Sequence, residues 1–200
     1  MIIAFFNQKG GVGSTTLAFH TCLRAQSRGV RVAAISIDPT QELRRRLAET
    51  PVPVIELAGD GDAGETADLI VVDVNAQTAA ALPICPDVWV LPITNRRSWE
   101  QACALSDVLT GQIVWLPNLR SHDLEGCGEH DLRPPAYLAD TIRQTTAIPR
   151  SHAIAIANDQ GGSLWEDVSL AASPGGRALT RAIDDILESI DLLPCERRAS

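Results

Sequence analysis

Short apolar runs alternate along the chain with longer stretches in which apolar residues recur at helical spacing. The apolar runs are rich in β-branched residues and bounded by glycine, proline or aspartate, which is typical of strands buried on both faces of a sheet. They predict strands at residues 2–6, 30–37, 69–72, 88–93 and 113–116. Residues 52–57 contain Pro53 and therefore indicate an edge strand, because proline cannot donate a hydrogen bond to a central ladder.

Helices are predicted between these strands. Residues 14–28 lack glycine and proline and stop before Gly29, a residue type that commonly follows the end of a helix. Ser98 is expected to cap a helix over residues 98–109, since its hydroxyl can accept a hydrogen bond from a backbone N–H of the first turn. Further helices are predicted at residues 41–49, 136–144 and 176–190.

Strands that alternate with helices form a parallel sheet covered on both faces. The expected fold is α/β, a single-domain, mostly parallel twisted sheet over residues 1–193, with a short tail at residues 194–200. Lys9, Asp38 and Asp73 each follow a predicted strand. Because the carboxyl ends of parallel strands meet at one edge of the sheet, where ligands bind, we expect these three residues to share a site.

Composition narrows the class of protein. The chain has 200 residues, of which 45% are apolar and 21% charged, and its net charge of −8 excludes a polybasic nucleic-acid arm. The first apolar run is too short for a signal peptide or a membrane span. Five widely spaced cysteines without a C-x-x-C pair are typical of reduced thiols. We therefore expect a cytoplasmic protein.

The single lysine lies in a glycine-rich segment. The 17 basic residues are 16 arginines and Lys9, which opens the sequence Lys-Gly-Gly-Val-Gly-Ser-Thr-Thr at residues 9–16, here called the glycine loop. Its glycines permit a tight turn that aims backbone N–H groups inward, and the following helix N-terminus adds partial positive charge, so the loop suits phosphate. Thr15 and Asp73 offer oxygen ligands for Mg²⁺. The alternative is a strand–helix turn that binds nothing.

The glycine loop resembles the deviant Walker A motif of the ParA/MinD group of P-loop ATPases, Lys-Gly-Gly-x-Gly-Lys-Thr-Thr. Residues 35–39 resemble the family's Asp-x-Asp-Pro switch, with Asp38 at the second acid, and residues 68–73 resemble its Walker B strand. Residues 148–150 and the turn at 174–176 resemble its C-terminal third. The likeness is closest to small ParA-type partition proteins, and it implies a P-loop NTPase fold.

In that family two subunits sandwich two ATP molecules. The resemblance implies that ATP and Mg²⁺ are the ligands, that Lys9 reaches the nucleotide of the partner subunit, and that Asp38 orients the attacking water. Alternatively, Asp38 caps the following helix. By the same resemblance the phosphates lie against the whole loop: Lys9, Gly10, Gly11, Val12, Gly13, Ser14, Thr15 and Thr16.

Ser14 departs from the family pattern, because the family has a lysine there that contacts the β- and γ-phosphates in its own subunit. Losing one charge-assisted contact costs about 1.5–3 kcal/mol, or about 10–150-fold in affinity. Hydrolysis should suffer more, since the lysine also stabilises the transferred phosphoryl group. Ser36 also replaces the first acid of the switch, and Thr40 replaces the glutamine that usually follows Pro39.

Two residues are candidates for contacting the base. Asn118 closes the predicted strand at 113–116 and is a candidate for the amide edge of the base, or alternatively a turn residue. Pro149 belongs to residues 148–158, which either cover the adenine or only pack. His122, Cys127 and His130 offer metal ligands, but their spacing fits no standard zinc module, and a solvated acidic loop is the favoured interpretation.

Four arginines are candidates for DNA contacts, because the family's DNA surface is assembled from basic residues in this region: Arg143, Arg150, Arg177 and Arg181. The alternative is that Arg181 pairs within its helix with Asp184 and Asp185. Residues 194–200 form no basic amphipathic helix, so no membrane partner is expected.

Two functions are therefore considered. The first is a ParA-like switch for plasmid or chromosome partition or cargo positioning: ATP drives homodimerisation, the dimer binds non-specific DNA at the nucleoid, a ParB-like or cargo adaptor triggers release, and hydrolysis is weak or absent. The second is a catalytically inactive module that pairs with an active partner. A reductase-type relative with an iron–sulfur cluster is disfavoured, since Cys85 and Cys127 lack a convincing cysteine pair near the sheet edge.

Overall fold

The computed structural model describes residues 1–8, 10–56, 67–74, 84–120, 133–159 and 162–192. Its strands are β1 (Ile2–Phe5), β2 (Val32–Ser36), β3 (Leu69–Asp73), β4 (Val88–Ile93), β5 (Gln112–Arg120), β6 (Ile142–Gln144) and β7 (Ile148–Pro149). Its helices are α1 (Ser14–Ser27), α2 (Glu42–Leu47), α3 (Arg96–Ser106), α4 (His152–Asp159), α5 (Val168–Ala171) and α6 (Pro174–Ser189). The five strands predicted from apolar runs are confirmed, as are helices α1, α2, α3 and α6.

The strands form one parallel sheet in the order β2-β3-β1-β4-β5-β6, with β7 paired to the carboxyl-terminal part of β5. The central strand is β1, which pairs with β3 on one side and β4 on the other. This arrangement confirms the predicted α/β fold, and it aligns the carboxyl ends of β1, β2 and β3 at one edge.

Helices cover both faces of the sheet, because successive side chains of a strand point to opposite sides. One face packs Phe5 against α1 and α6, whose buried residues include Leu17 and Ile183. The other face packs Trp115 against α3, where Ala102 is fully buried. Both apolar clusters hold β1 in the centre of the protein, so the loop that leaves β1 starts from a rigid base.

The helix predicted over residues 136–144 is wrong. The chain makes a 3-10 helix at Ala136–Leu138 and then enters β6, where Gln144 pairs with Trp115 of β5. Ile142 is buried in the same apolar cluster as Leu138. Pairing with β5 and burial of Ile142 therefore outweigh the local helix propensity of this segment.

Two predicted boundaries also differ. Helix α3 begins at Arg96, and its cap is Asn95 rather than Ser98: Asn95 Oδ1 accepts a hydrogen bond from Ser98 N (3.1 Å), and Ser98 Oγ accepts one from Asn95 N (3.0 Å). This reciprocal capping box satisfies two backbone donors. The predicted edge strand at 52–57 is reduced to one bridge, between Ala34 and Val54, over its described residues 52–56.

No helix in the described part of the chain has the length and apolar character needed to cross a membrane. The predicted tail at residues 194–200 lies outside the described residues.

Candidate functional site

The carboxyl ends of three neighbouring strands define the candidate site. Asp73, the last residue of β3, pairs with Phe5 of β1 on one side and with Ser36 of β2 on the other. The glycine loop follows β1 and Asp38 follows β2, so both lie at the same edge as Asp73. Lys9 lies outside the described residues, and the geometry of the glycine loop is therefore that of residues 10–16.

The glycine loop turns through two residues in the left-handed region. Gly11 has φ 77° and Gly13 has φ 91°, values at which a side chain would be strained. Helix α1 begins directly afterwards at Ser14, and no side chain caps its first turn. Its first backbone N–H groups thus lack helical acceptors and retain the partial positive charge of a helix N-terminus. The loop offers a set of N–H donors suited to an anion.

Thr15 and Asp73 meet at the start of α1. Thr15 Oγ1 donates a hydrogen bond to Asp73 Oδ2 (2.7 Å), and the Asp73 residue is only 2% exposed. The pKa of Asp73 is raised to about 6, mainly by burial and also by the negative charges of Asp38 and Glu42, while the hydrogen bond from Thr15 and the charge of Arg46 oppose the rise. A hydroxyl and a buried carboxylate are hard oxygen ligands, so this pair fits Mg²⁺ beside a phosphate.

Asp38 is held in a tight turn rather than at a helix cap. Its carboxylate accepts hydrogen bonds from Thr40 N (2.9 Å) and Thr40 Oγ1 (2.7 Å). Helix α2 starts later, after Gln41, so the alternative that Asp38 caps this helix is wrong. Gln41 has φ 53°, and its side chain donates to the carbonyl of Asp38 (3.0 Å). The turn therefore fixes the backbone conformation of Asp38, whose carboxylate faces Thr40.

Asn118 lies inside β5, so the alternative that it is a turn residue is wrong. Its Nδ2 donates a hydrogen bond to the carbonyl oxygen of Val12 in the glycine loop (2.7 Å). Pro149, the other candidate for contacting the base, lies half-buried in β7. Asn118 and Ile148 of β7 are paired in the sheet. The two candidate base-contacting residues therefore lie on adjacent strands.

The sequence did not reveal the roles of two residues at this edge. Asn7 is buried, and its Nδ2 donates to the carbonyls of Pro92 (2.8 Å) and Ser98 (3.4 Å), which ties the chain before the glycine loop to the end of β4 and to α3. Thr40 was noted only as a departure from the family pattern, although its hydroxyl orders Asp38. The position of Asn7, a polar residue directly after the apolar run of β1, was the sequence feature that could have indicated its role.

The four arginines proposed for DNA are exposed and lie on separate elements. Arg143 is in β6, Arg150 follows β7, and Arg177 and Arg181 lie one turn apart on α6. Among the described residues, the Arg177 guanidinium donates to the carbonyl of Ala172, and Arg143, Arg150 and Arg181 form no ion pair.

The intrahelical alternative for Arg181 is wrong, because both carboxylates are engaged elsewhere. Asp184 accepts from Arg24 Nε (2.8 Å) and Nη2 (2.6 Å) on α1, and Asp185 accepts from Thr146 N (2.8 Å) and Oγ1 (2.7 Å). These contacts tie α6 to α1 and to the chain between β6 and β7, and they leave the Arg181 guanidinium toward solvent.

The candidate metal ligands His122, Cys127 and His130 lie outside the described residues. Within the described ranges, no group of three or more His, Cys, Asp or Glu side chains is arranged to hold a metal ion.

Comparison with known proteins gives a family match over nearly the whole chain. The sequence profile of the CobQ/CobB/MinD/ParA nucleotide binding domain matches residues 3–193. Comparison with curated protein sequences gives no significant match.

Solved structures share the fold at low sequence identity. MinD of the Aquifex aeolicus MinC:MinD cell division complex is 16% identical, with TM-score 0.64 over 98% of both chains. MinD of Pyrococcus horikoshii, complexed with Mg-ADP, is 18% identical, with TM-score 0.65 over 94% of this chain and 96% of that one. A plasmid partition protein of Borrelia burgdorferi bound to AMPPNP is 14% identical, with TM-score 0.67 over 94% and 98%.

Proposed function

Because the chain belongs to the CobQ/CobB/MinD/ParA nucleotide-binding family, we propose that it is an ATP- and Mg²⁺-dependent dimerisation switch. The observation that carries the proposal is the Thr15–Asp73 hydrogen bond beside the glycine loop (2.7 Å). It brings a hydroxyl and a buried carboxylate to the start of α1, where the loop N–H groups are available to phosphate.

The triphosphate would be held mainly by backbone donors. Gly10, Gly11, Val12 and Gly13 supply the turn, and Ser14, Thr15 and Thr16 supply the first N–H groups of α1. Ser14 brings no ammonium group, and the chain's only lysine is Lys9, which we propose acts on the nucleotide of the partner subunit. ATP binding would then depend on dimerisation more than it does with an in-loop lysine.

Mg²⁺ would be held by Thr15 and Asp73. A bound Mg²⁺ ion would neutralise part of the negative charge of the phosphates, which a lysine at position 14 would otherwise help to neutralise. Asp73 must be ionised to serve as a ligand, and its pKa of about 6 leaves it mostly ionised at pH 7.5. The Thr15 hydroxyl carries two lone pairs besides its O–H, so it can donate to Asp73 and still present a lone pair to the ion.

Hydrolysis would be weak. We propose that Asp38, held by its turn with Thr40, orients the attacking water. Without a lysine at position 14, less charge stabilises the transferred phosphoryl group, and removing one such contact from an enzyme typically costs about 10²–10³-fold in rate.

The nucleotide-bound homodimer would act in plasmid or chromosome partition or cargo positioning in the cytoplasm. The structural relatives include a MinD in complex with MinC and a plasmid partition protein, which supports a role that includes a protein partner such as a ParB-like or cargo adaptor. Arg143, Arg150, Arg177 and Arg181 are the proposed contacts to non-specific DNA. With a net charge of −8, such binding would be weak and salt-sensitive.

A second candidate function is favoured by Ser14 alone. In this version the chain binds nucleotide too weakly to switch by itself and pairs with a catalytically active relative. The two candidates differ in whether the natural chain responds to ATP without a partner.

Titration with Mg-ATP tests the proposal, with size-exclusion chromatography to follow dimerisation and phosphate release to follow turnover. Wild type and Ser14→Lys are compared, with Thr15→Ala as the control that removes the proposed Mg²⁺ ligand. The switch predicts dimerisation of wild type on ATP and about 10–150-fold tighter binding in Ser14→Lys. Binding that appears only in Ser14→Lys would favour the inactive module, and no binding in either variant would overturn both.

A further inference from the structure

The Asn118 side chain is wedged against the glycine loop. Its Nδ2 donates to the Val12 carbonyl (2.7 Å), and a Cβ placed on Gly13 would lie 2.6 Å from the same nitrogen. Asn118 is 6% exposed and is paired in the sheet with Ile148 of β7. A buried residue of the sheet thus contacts the loop backbone at Val12 and Gly13.

This contact fixes the orientation of one peptide group. In a trans peptide the C=O and the following N–H point in opposite directions. Holding the Val12 carbonyl toward β5 therefore directs the Gly13 N–H to the opposite side of the loop. Gly13 has φ 91°. Because glycine has no Cβ, steric clashes do not determine the orientation of the Val12–Gly13 peptide.

We infer that Asn118 is a positioning residue for the phosphate site: it holds the Val12–Gly13 peptide so that the Gly13 N–H faces a bound polyphosphate. The inference rests on the proposed nucleotide-binding function. It assigns Asn118 to the phosphates rather than to the base, since the amide donor is directed at the loop. Because Ser14 supplies no ammonium group, each backbone donor carries a larger share of the phosphate affinity.

The experiment measures binding of three probes, ATP, GTP and inorganic tripolyphosphate, to wild type, Asn118→Ala and Asn118→Asp by calorimetry with Mg²⁺. Gln112→Ala is the matched control, since Gln112 is a carboxamide at the other end of the same strand. Hydrogen exchange of residues 10–17 is measured on the nucleotide-free proteins, and thermal unfolding checks that each variant folds.

A positioning role predicts that Asn118→Ala weakens all three probes by the same factor, about 10-fold or more, while the ratio of ATP to GTP affinity is unchanged. Asn118→Asp, which keeps the size of the side chain but presents a carboxylate to the Val12 carbonyl, should weaken them at least as much. Exchange of residues 10–17 should be about fivefold faster in Asn118→Ala and unchanged in Gln112→Ala.

Two results would overturn the inference: unchanged exchange of the loop in Asn118→Ala, or a changed ATP-to-GTP ratio with unchanged tripolyphosphate affinity, which would assign Asn118 to the base. Failure of wild type to bind any of the three probes would instead refute the proposed function. In that case the exchange measurement still decides whether Asn118 holds the loop.

Discussion

Replacing Asp73 by asparagine should stabilise the nucleotide-free protein at neutral pH while removing its response to Mg²⁺. Asp73 is 2% exposed, and burial raises its pKa from 3.8 to about 6. The folded state therefore binds the proton more tightly than the unfolded chain. This contribution to stability is fully present below about pH 4 and is lost as the pH rises through about 6.

The difference between the two pKa values corresponds to about 3 kcal/mol of unfolding free energy at pH 7.5. Asparagine keeps an acceptor for the Thr15 hydroxyl and carries no charge, so it should retain this stability at every pH. Asp73→Asn should thus exceed wild type by about 2–3 kcal/mol above pH 7 and match it near pH 4.

Urea denaturation in EDTA between pH 4 and 8 measures this difference directly, and subtraction of the two curves cancels groups common to both proteins. Asp140→Asn is the control for the same chemical change at an exposed position. A difference between Asp73→Asn and wild type that is flat with pH, or a variant that is less stable at pH 7.5, would refute the reasoning. Calorimetry should also show that Mg²⁺ no longer strengthens ATP binding in this variant.

Three further substitutions test the glycine loop and the contacts of helix α1, which follows it. Gly13→Ala would place a Cβ 2.6 Å from Asn118 Nδ2 on a residue with φ 91°. Urea denaturation should therefore show that the unfolding free energy falls by at least about 1–2 kcal/mol. An unchanged denaturation midpoint would contradict the loop geometry. Burial lowers the pKa of His20 to about 4, so the stability that the neutral imidazole contributes is present above pH 6.5 and is lost as the pH falls toward 4. His20→Phe should lessen this loss of unfolding free energy. An equal dependence of unfolding free energy on pH in wild type and variant would count against it. Asp184→Asn removes a bidentate contact with Arg24 and should cost about 1–3 kcal/mol in chemical denaturation, whereas an effect near zero would show that α1 and α6 do not depend on it.

The parallel sheet and the meeting of its strand ends were predictable, because buried parallel strands are continuous apolar runs. Asp73 and Asp38 each follow such a run, so their shared edge followed from sequence order alone. The cap at Asn95 was also predictable, because asparagine is among the residue types preferred at a helix N-cap.

Three of the errors arise from contacts between distant parts of the chain. Residues 142–144 form a strand because they pair with the edge of β5 and because Ile142 is buried there. Their local sequence is equally compatible with a helix. Asp184 follows Arg181 at helical spacing but pairs with Arg24, which is 160 residues away. The contact of Asn118 with Val12 spans 106 residues and likewise has no local signature.

The most direct test is a crystal structure grown with saturating Mg²⁺ and AMPPNP. We expect the three phosphates along residues 10–16, the metal ion bound at Thr15 and Asp73, and serine at position 14 making no charged contact. An unoccupied loop in every copy, at a nucleotide concentration that fills the site in Ser14→Lys crystals, would contradict the claim that this chain retains the triphosphate without a lysine at position 14.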